Sequence, residues 1–396
     1  MPLRWLTAGE SHGPALVGII SGLPGGLEVS VDRVNQEVAR RQQGAGRSSR
    51  QTIEHDQAAF LAGIRHGKTI GSPIAILIGN MDHENWREIM ATQPPEPDSA
   101  GGEAHRPRPG HVDLAGALKW ELTDARNVIE RASARSTAAT VALGALCKQY
   151  LEHFGTFLGS RLISYGPARL VDETELPPTR NDIGENPVIL LSYGALSDQQ
   201  EAAINEAVRK ARETGDTLGG VIQVIAAHVP PGLGSCALPD ERMDSRLAAA
   251  VLGVPGIKAV EIGAGILQSS SVGREANDPF ALGDDPFQKP WYGRSSNLAG
   301  GIEGGITNGE PVCLTAWMKP LATVYPPLET VDLRTGEPVF PESTERGDVA
   351  AVESAACVLE SVLALELARA HIEKFGGDTL WAVEHAFNRY MDSLER

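Results

Sequence analysis

Gly67-Lys68-Thr69-Ile70-Gly71-Ser72 runs directly into Pro73-Ile74-Ala75-Ile76-Leu77-Ile78. The first six residues carry turn chemistry. The next six form a short apolar run bounded by that turn, the pattern of a buried strand. The arrangement recurs. Gly215-Asp216-Thr217-Leu218-Gly219-Gly220 precedes Val221-Ile222-Gln223-Val224-Ile225, and Gly305-Ile306-Thr307-Asn308-Gly309-Glu310 precedes Pro311-Val312-Cys313-Leu314. Gly9-Glu10-Ser11-His12-Gly13-Pro14 precedes Ala15-Leu16-Val17-Gly18-Ile19-Ile20. A Gly-x-[Ser/Thr]-x-Gly loop before a strand therefore occurs twice in each half of the chain. This predicts an internally duplicated α/β (α+β) fold in which each loop enters an equivalent strand.

Outward from these loops, residues 3–8 read as a strand. Val31, Val34 and Val38 lie at helical spacing behind Ser30, a good N-cap. The alanine-rich run Ser136 to Tyr150 predicts a helix, extended to about 131–154. Strands are expected at 156–164, 188–193 and 258–262, and helices at 197–213, 240–253 and 349–372. Gly376-Gly377 then stops the chain before a last helix from about 379. Residues 80–110 and 269–300 read as long functional loops.

At 396 residues the length suits two or three domains or one large one. The repeat favours a single domain of two pseudo-repeated halves, about 1–200 and 201–396. The formal charge of −16 argues against nucleic acid and anionic membranes as partners. It also makes local basic clusters informative. Cys147, Cys236, Cys313 and Cys357 are scattered without a CxxC, neither a zinc pattern nor a disulfide framework, and no metal site is expected. With no apolar signal segment and no membrane-length run, the expectation is a cytoplasmic protein.

The chemistry gathers in Arg106-Pro107-Arg108-Pro109-Gly110-His111 and Glu130-Arg131-Ala132-Ser133-Ala134-Arg135. The prolines keep the first cluster extended, and the second opens a helix. Guanidinium forks grip phosphate or carboxylate. A second basic loop follows the first helix, with Arg40, Arg41, Arg47 and Arg50. Gly9-Glu10-Ser11-His12-Gly13 matches a hydrolase nucleophile elbow only in letters, because a strand follows where an elbow needs a helix. His12 is the stronger candidate, as a proton donor to a leaving phosphate or as a loop histidine bonded to local backbone. Asp348 reads first as the N-cap of the 349–372 helix and second as a site carboxylate. Lys319-Pro320-Leu321-Ala322-Thr323 could hold a phosphate or a flavin edge, or form an exposed turn.

Together these blocks resemble the chorismate synthase family over nearly the whole chain. Gly9–Gly13 through Gly22-Leu23-Pro24, Glu130 through Thr137, and Arg346-Gly347-Asp348 with Glu360 downstream look like its three signatures. The 106–111 stretch, 215–220, Val260-Glu261-Ile262-Gly263 and Lys319-Pro320 also match. The resemblance implies a β-α-β sandwich with helices between antiparallel-rich sheets, and a homotetramer. It implies a carbon–oxygen lyase: 5-enolpyruvylshikimate 3-phosphate loses phosphate and a ring proton by anti 1,4-elimination. The product is chorismate, and the reaction requires reduced FMN without net redox change.

By carry-over, Arg41, Arg47, Arg50, Arg108, Arg135 and Arg346 hold substrate, and Arg346 also approaches the flavin. His12 protonates the departing phosphate, His111 protonates or stabilises the reduced flavin, and Asp348 acts with the flavin in removing the ring proton. Arg131, Ala132, Ser133, Pro255, Gly256, Gly304 and Lys319, Pro320, Leu321, Ala322, Thr323 line FMN. Some relatives engage NADPH through the first arginine loop, which would give Arg41 and Arg47 a second role. No added reductase segment is visible, so reduced FMN is expected from an external flavin reductase, with NADPH as reductant. Two positions depart from the family pattern: Gly347 stands where many members have a bulkier residue, often Ser, and Ala45 replaces a common aromatic. Two other classes compete, an NADPH-linked oxidoreductase and a non-catalytic anion-binding protein. No G-x-G-x-x-G strand–helix fingerprint supports the first.

Overall fold

The computed structural model describes residues 2–48, 55–94, 101–172, 175–184, 194–282, 292–341 and 347–394. The strand expected at 188–193, Arg50 and Arg346 lie outside these residues. In chain order the main elements are β1 (Arg4–Ala8), β2 (Ala15–Ser21), α1 (Val31–Arg41), β3 (Ala58–Ala62), β4 (Ile74–Gly79), α2 (His83–Trp86), α3 (Asp113–Lys119), α4 (Arg126–Ala132) and α5 (Thr137–His153). They continue with β5 (Phe157–Tyr165), β6 (Ala168–Arg169), α6 (Asp198–Thr214), β7 (Gly220–Ala227), α7 (Met243–Leu252), β8 (Ile257–Ile262), β9 (Val312–Met318), α8 (Val352–Phe375) and α9 (Leu380–Asp392).

Two antiparallel sheets are built with one connectivity. The first has the order β1-β2-β4-β3 and the second β6-β5-β7-β9-β8. Counting strands within each sheet from β1 and from β5, both read first, second, fourth, third, with the short β6 added at the edge. The strands entered by the four glycine-rich loops are β2, β4, β7 and β9, the central antiparallel pair of each sheet. The third strand of each set carries a register shift, between Phe60 and Ala62 and between Ile257 and Ala259. The chain crosses from the first sheet to the second between α5 and β5, well before residue 200.

Helices fill the space between the sheets. α5 packs on β2 and β4, α8 on β5 and β7, and the two helices pack on each other. α5 and α8 are apolar on nearly every side because each is surrounded, and a helix without a polar face belongs in a core. Gly144 allows their close approach: a Cβ there would lie 2.4 Å from Ser361 Cβ and 2.6 Å from its Cα. The sheets differ on their outer faces. In the second, Ile183 covers Ile225, Ala227 and Cys313, and the rest of that face buries Gln223 and Thr315 bonded to each other, with Arg161 bonded to Gln223, so β7 and β9 are buried on both sides. In the first, Leu16, Ile20, Ile74, Ile76 and Ile78 point inward and are buried. The alternate residues of β2 and β4 are only partly covered.

Ser30 caps α1 as expected, accepting from Arg33 N at 3.3 Å. Two expectations are corrected. The helix expected at 131–154 is two helices, broken where Ser133 takes extended backbone (ψ 140°) and its hydroxyl accepts from Arg135 N. That break sends Arg131 and Arg135 to different sides. Asp348 does not cap α8: the helix begins four residues later, at Val352, after Ala351.

Candidate active site

The first arginine loop lies flat against the start of α8. Val349 N donates to Gly46 O at 2.7 Å, and a Cβ on Gly46 would sit 2.7 Å from Ala350 N, so only glycine fits. Ala45 N donates to Glu353 Oε1 at 2.8 Å. This anchoring places Arg47 beside Asp348, with Nη1 2.5 Å from Oδ2, while Ser48 N reaches Oδ1 at 2.7 Å. Arg47 also donates to Arg41 O and to Ser354 Oγ.

Arg41 and Arg135 share Asp56, which is buried. Arg135 Nη1 lies 2.5 and 2.6 Å from its two oxygens, and Arg41 Nη2 lies 3.3 Å from Oδ2. Burial lowers Arg41 to about 10; Asp56 opposes the shift, and repulsion from Arg47 and Arg135 adds to it. It still carries its charge at neutral pH. Among the described residues, Arg41 Nε and Arg47 Nε are buried without a hydrogen-bond partner. Three converging guanidiniums, two of them with unfilled donors, suit a multiply charged anion.

Gly110, between Arg108 and His111, faces Lys319 and Ala322 of the 319–323 loop. Asp113, fully buried on α3, accepts from Arg108 Nε at 2.8 Å and from His111 Nδ1. Burial would raise the Asp113 carboxyl, yet the bonds from His111 and Arg108 hold it well below the usual range. Lys319 Nζ donates to Gly110 O, Lys319 N donates to Gly256 O at 2.9 Å, and Thr217 Oγ1 donates to Leu321 O at 2.7 Å. Thr217 and Thr323 share a cavity of about 650 Å³ with Arg47, Gly347 and Asp348.

His12 sits at the other end. Its Nδ1 is 2.9 Å from Oε1 of Glu130, a residue only 1% exposed, and its backbone N–H donates to Oε2 at 2.9 Å. This is not the local backbone bond that a loop histidine would make. Asn80 Nδ2 donates to Ser11 O, and Arg135 Nη2 donates to the neighbouring Gly79 O. A line of hydrogen-bonded groups thus runs from Arg135 through Asp56, Arg41 and Arg47 to Asp348, with His12 near its first end, linked through Ser11 O and the backbone at Gly79 and Asn80; the Gly110–Lys319 pair stands apart, near the cavity that Thr323 shares with Asp348.

Not every expected residue joins this line. Arg131 reaches Thr7 O and Oγ1 on β1, with Ala132 and Ser133 behind it at the α4–α5 break. Gly304 turns a hairpin that precedes β9, at the opposite end of that strand from Lys319. Pro255 leads into the Gly256 turn. Glu360 lies in the helical core among Arg40, Lys148 and Ser160. Asp56, Asp113, Trp86 and Ser354 escaped the sequence reading. Only Asp113 left a local signal, an acid two residues beyond His111; the others meet their partners across long stretches of chain.

Comparison with known proteins identifies the family. The family model described as Chorismate synthase matches residues 3–372. A chorismate synthase of Anaeromyxobacter dehalogenans (strain 2CP-1 / ATCC BAA-258) is 47% identical over 391 residues, 98% of this chain and 99% of the relative. One of Desulforudis audaxviator (strain MP104C) is 45% identical over 395 residues, 99% and 98% of the two chains. A solved structure titled "Crystal Structure of Chorismate Synthase" superposes with a TM-score of 0.75 at 34% identity, covering 100% of this chain and 99% of that one. With the family matched over nearly its whole length and the arginine-lined site in place, this chain belongs to the chorismate synthase family.

Proposed function

We propose that the chain converts 5-enolpyruvylshikimate 3-phosphate to chorismate by anti 1,4-elimination, as a carbon–oxygen lyase. One observation carries the reading: three guanidiniums cluster beside a carboxylate, Arg41 and Arg135 meeting at Asp56 while Arg47 bridges Arg41 O and Asp348. The substrate carries a phosphate and two carboxylates, which matches the cationic centre. Elimination breaks a C–O bond to phosphate and a C–H bond on the ring. His12 gives its proton to the departing phosphate. Asp348, held by Arg47 and Ser48 N, carries the ring proton away. Arg108, held by Asp113, is a further candidate for the substrate's anionic groups, as are Arg50 and Arg346, which lie outside the described residues.

The residues also fit FMN. Gly110 and Gly256 take left-handed backbone (φ +78° and +86°) beside Lys319, a cradle with little side-chain bulk. Lys319 and Thr323 supply phosphate donors, while Leu321 and Ala322 supply apolar surface. When bound, reduced FMN supplies the electron-rich ring that this redox-neutral elimination requires. His111, oriented by Asp113, stays at the edge of that cradle. Gly304, in the hairpin before β9, lies at the opposite end of that strand from Lys319; its carried-over role in holding FMN therefore favours a cofactor site shared between subunits.

The apolar outer face of the first sheet supports a homotetramer. Leu6, Val17, Ile19, Ala75 and Leu77 share that face by register, and Leu6 is 56% exposed. Contiguous apolar surface of this kind marks an interface. Sedimentation equilibrium should read four chains, and a monomer at micromolar concentration would refute the assembly. No helix among the described residues is long and apolar enough to cross a membrane; we place the enzyme in the cytoplasm, with reduced flavin from an external, NADPH-linked reductase.

An anaerobic assay with 5-enolpyruvylshikimate 3-phosphate and chemically reduced FMN tests the reading. Chorismate and phosphate should appear in equal amounts, and neither should appear with oxidised FMN. Hydride consumption without phosphate release would favour an oxidoreductase instead.

A further inference from the structure

We infer that Glu130 is a positioning residue for His12, holding the ring by Nδ1 so that Nε2 is the atom that delivers a proton. Resting on the lyase reading above, this gives a role to a carboxylate that touches neither substrate nor cofactor. Four side chains define the device. Both Glu130 oxygens lie within 3.0 Å of His12 Nδ1, and the His12 amide binds Oε2. Arg126 Nη1 holds Oε1 at 3.3 Å. Trp86 stacks on the imidazole, with ring centroids 3.8 Å apart and planes 23° apart. His83 Nδ1 meets His12 O at 3.0 Å. The ring is therefore clamped on one edge and one face, while the side chain stays 27% exposed. Among the described residues Nε2 has no hydrogen-bond partner.

The partner of one ring nitrogen sets which nitrogen is available for chemistry. A carboxylate at Nδ1 accepts Nδ1–H and stabilises the imidazolium, so the acid form carries its transferable proton on Nε2. After transfer the neutral ring retains Nδ1–H, and Nε2 is ready to take up a proton again. Burial alone would raise the Glu130 carboxyl, but the ring bond, the backbone bond and the attraction of His12 and Arg126 lower it. Glu130 therefore stays anionic at neutral pH, as this role needs.

Two measurements on the full chain test the assignment. In ¹⁵N spectra of histidine-labelled protein, with His12 identified by loss of its signal in His12→Gln, the wild-type ring should be protonated on Nδ1. In Glu130→Gln the amide carbonyl stays with the His12 backbone N–H and turns NH₂ toward Nδ1, so the ring should switch to the Nε2–H tautomer. In the anaerobic assay Glu130→Gln should lower kcat roughly 10- to 100-fold, part of the ~10²–10⁴ that a positioned acid contributes. KM should stay within about 2-fold, and Glu130→Asp should restore part of the loss. An unchanged kcat in Glu130→Gln, or a neutral wild-type ring protonated on Nε2 rather than Nδ1, would overturn the role of Glu130. Absence of chorismate from the wild type would overturn the lyase reading and the catalytic half of this inference, while the spectrum would still judge the pairing. The wild-type spectrum needs no folded Glu130 variant.

Discussion

Asp348→Asn is expected to lower turnover by about 10²–10⁴-fold while substrate affinity changes by less than about 3-fold. The carboxylate accepts from Arg47 Nη1 and from Ser48 N, one oxygen each. Asparagine keeps one acceptor but turns an NH₂ toward the other donor, so it removes the base and loosens one hold on the loop. Comparing kcat with directly measured substrate binding separates these effects. A loss confined to kcat identifies proton chemistry, because an interaction needed only in the transition state leaves ground-state binding untouched. Equal losses in both would reduce Asp348 to an anchor for Arg47. Full activity would remove it from the reaction.

Glu360→Ala is expected to destabilise the fold by about 3–5 kcal/mol, the usual penalty for breaking one side of a buried ion network. Glu360, 1% exposed, accepts from Lys148 Nζ at 2.6 Å and from Arg40, and Ser160 Oγ donates to it at 2.5 Å. Glu37 shares both cations. Without Glu360, two cations face one carboxylate at the junction of α1, α5, α8 and β5. Chemical denaturation at fixed protein concentration measures the loss, and a value below about 1 kcal/mol would mean that the network is solvated.

The same residue makes a pH prediction. Burial acts to raise Glu360, but Lys148 and Arg40 prevail and bring it from 4.5 to about 2. A carboxyl lowered in the folded state adds stability that is fully present above 4.5 and is lost as pH falls toward 2. The wild type should weaken across that window, and Glu360→Gln should weaken less. Parallel acid curves would assign the loss to other carboxylates.

Much of this was legible in one dimension. β2, β4, β7 and β9 announced themselves because a glycine-rich turn and a short apolar run are both local properties. Ser30 was readable as a cap because its partner, Arg33 N, is three residues away. Asp348 was misread as a cap for the same reason: its position before a helix is local, whereas its bond to Arg47 spans 301 residues. The break at Ser133 was missed because an alanine-rich run with good helix propensity does not reveal an extended residue inside it.

By itself, the sequence determined the duplicated strand pattern, the arginine-rich loops, the candidate acid and base, and the family likeness. These rest on residue type and short spacing. Only the tertiary structure decided which carboxylate serves which cation: Asp56 between Arg41 and Arg135, Asp113 under His111, Glu130 behind His12, and Glu360 in the core rather than at the site. A charge finds its partner wherever burial removes water and leaves no other compensation. That choice depends on how the sheets and helices close on one another, not on the distance between residues along the chain.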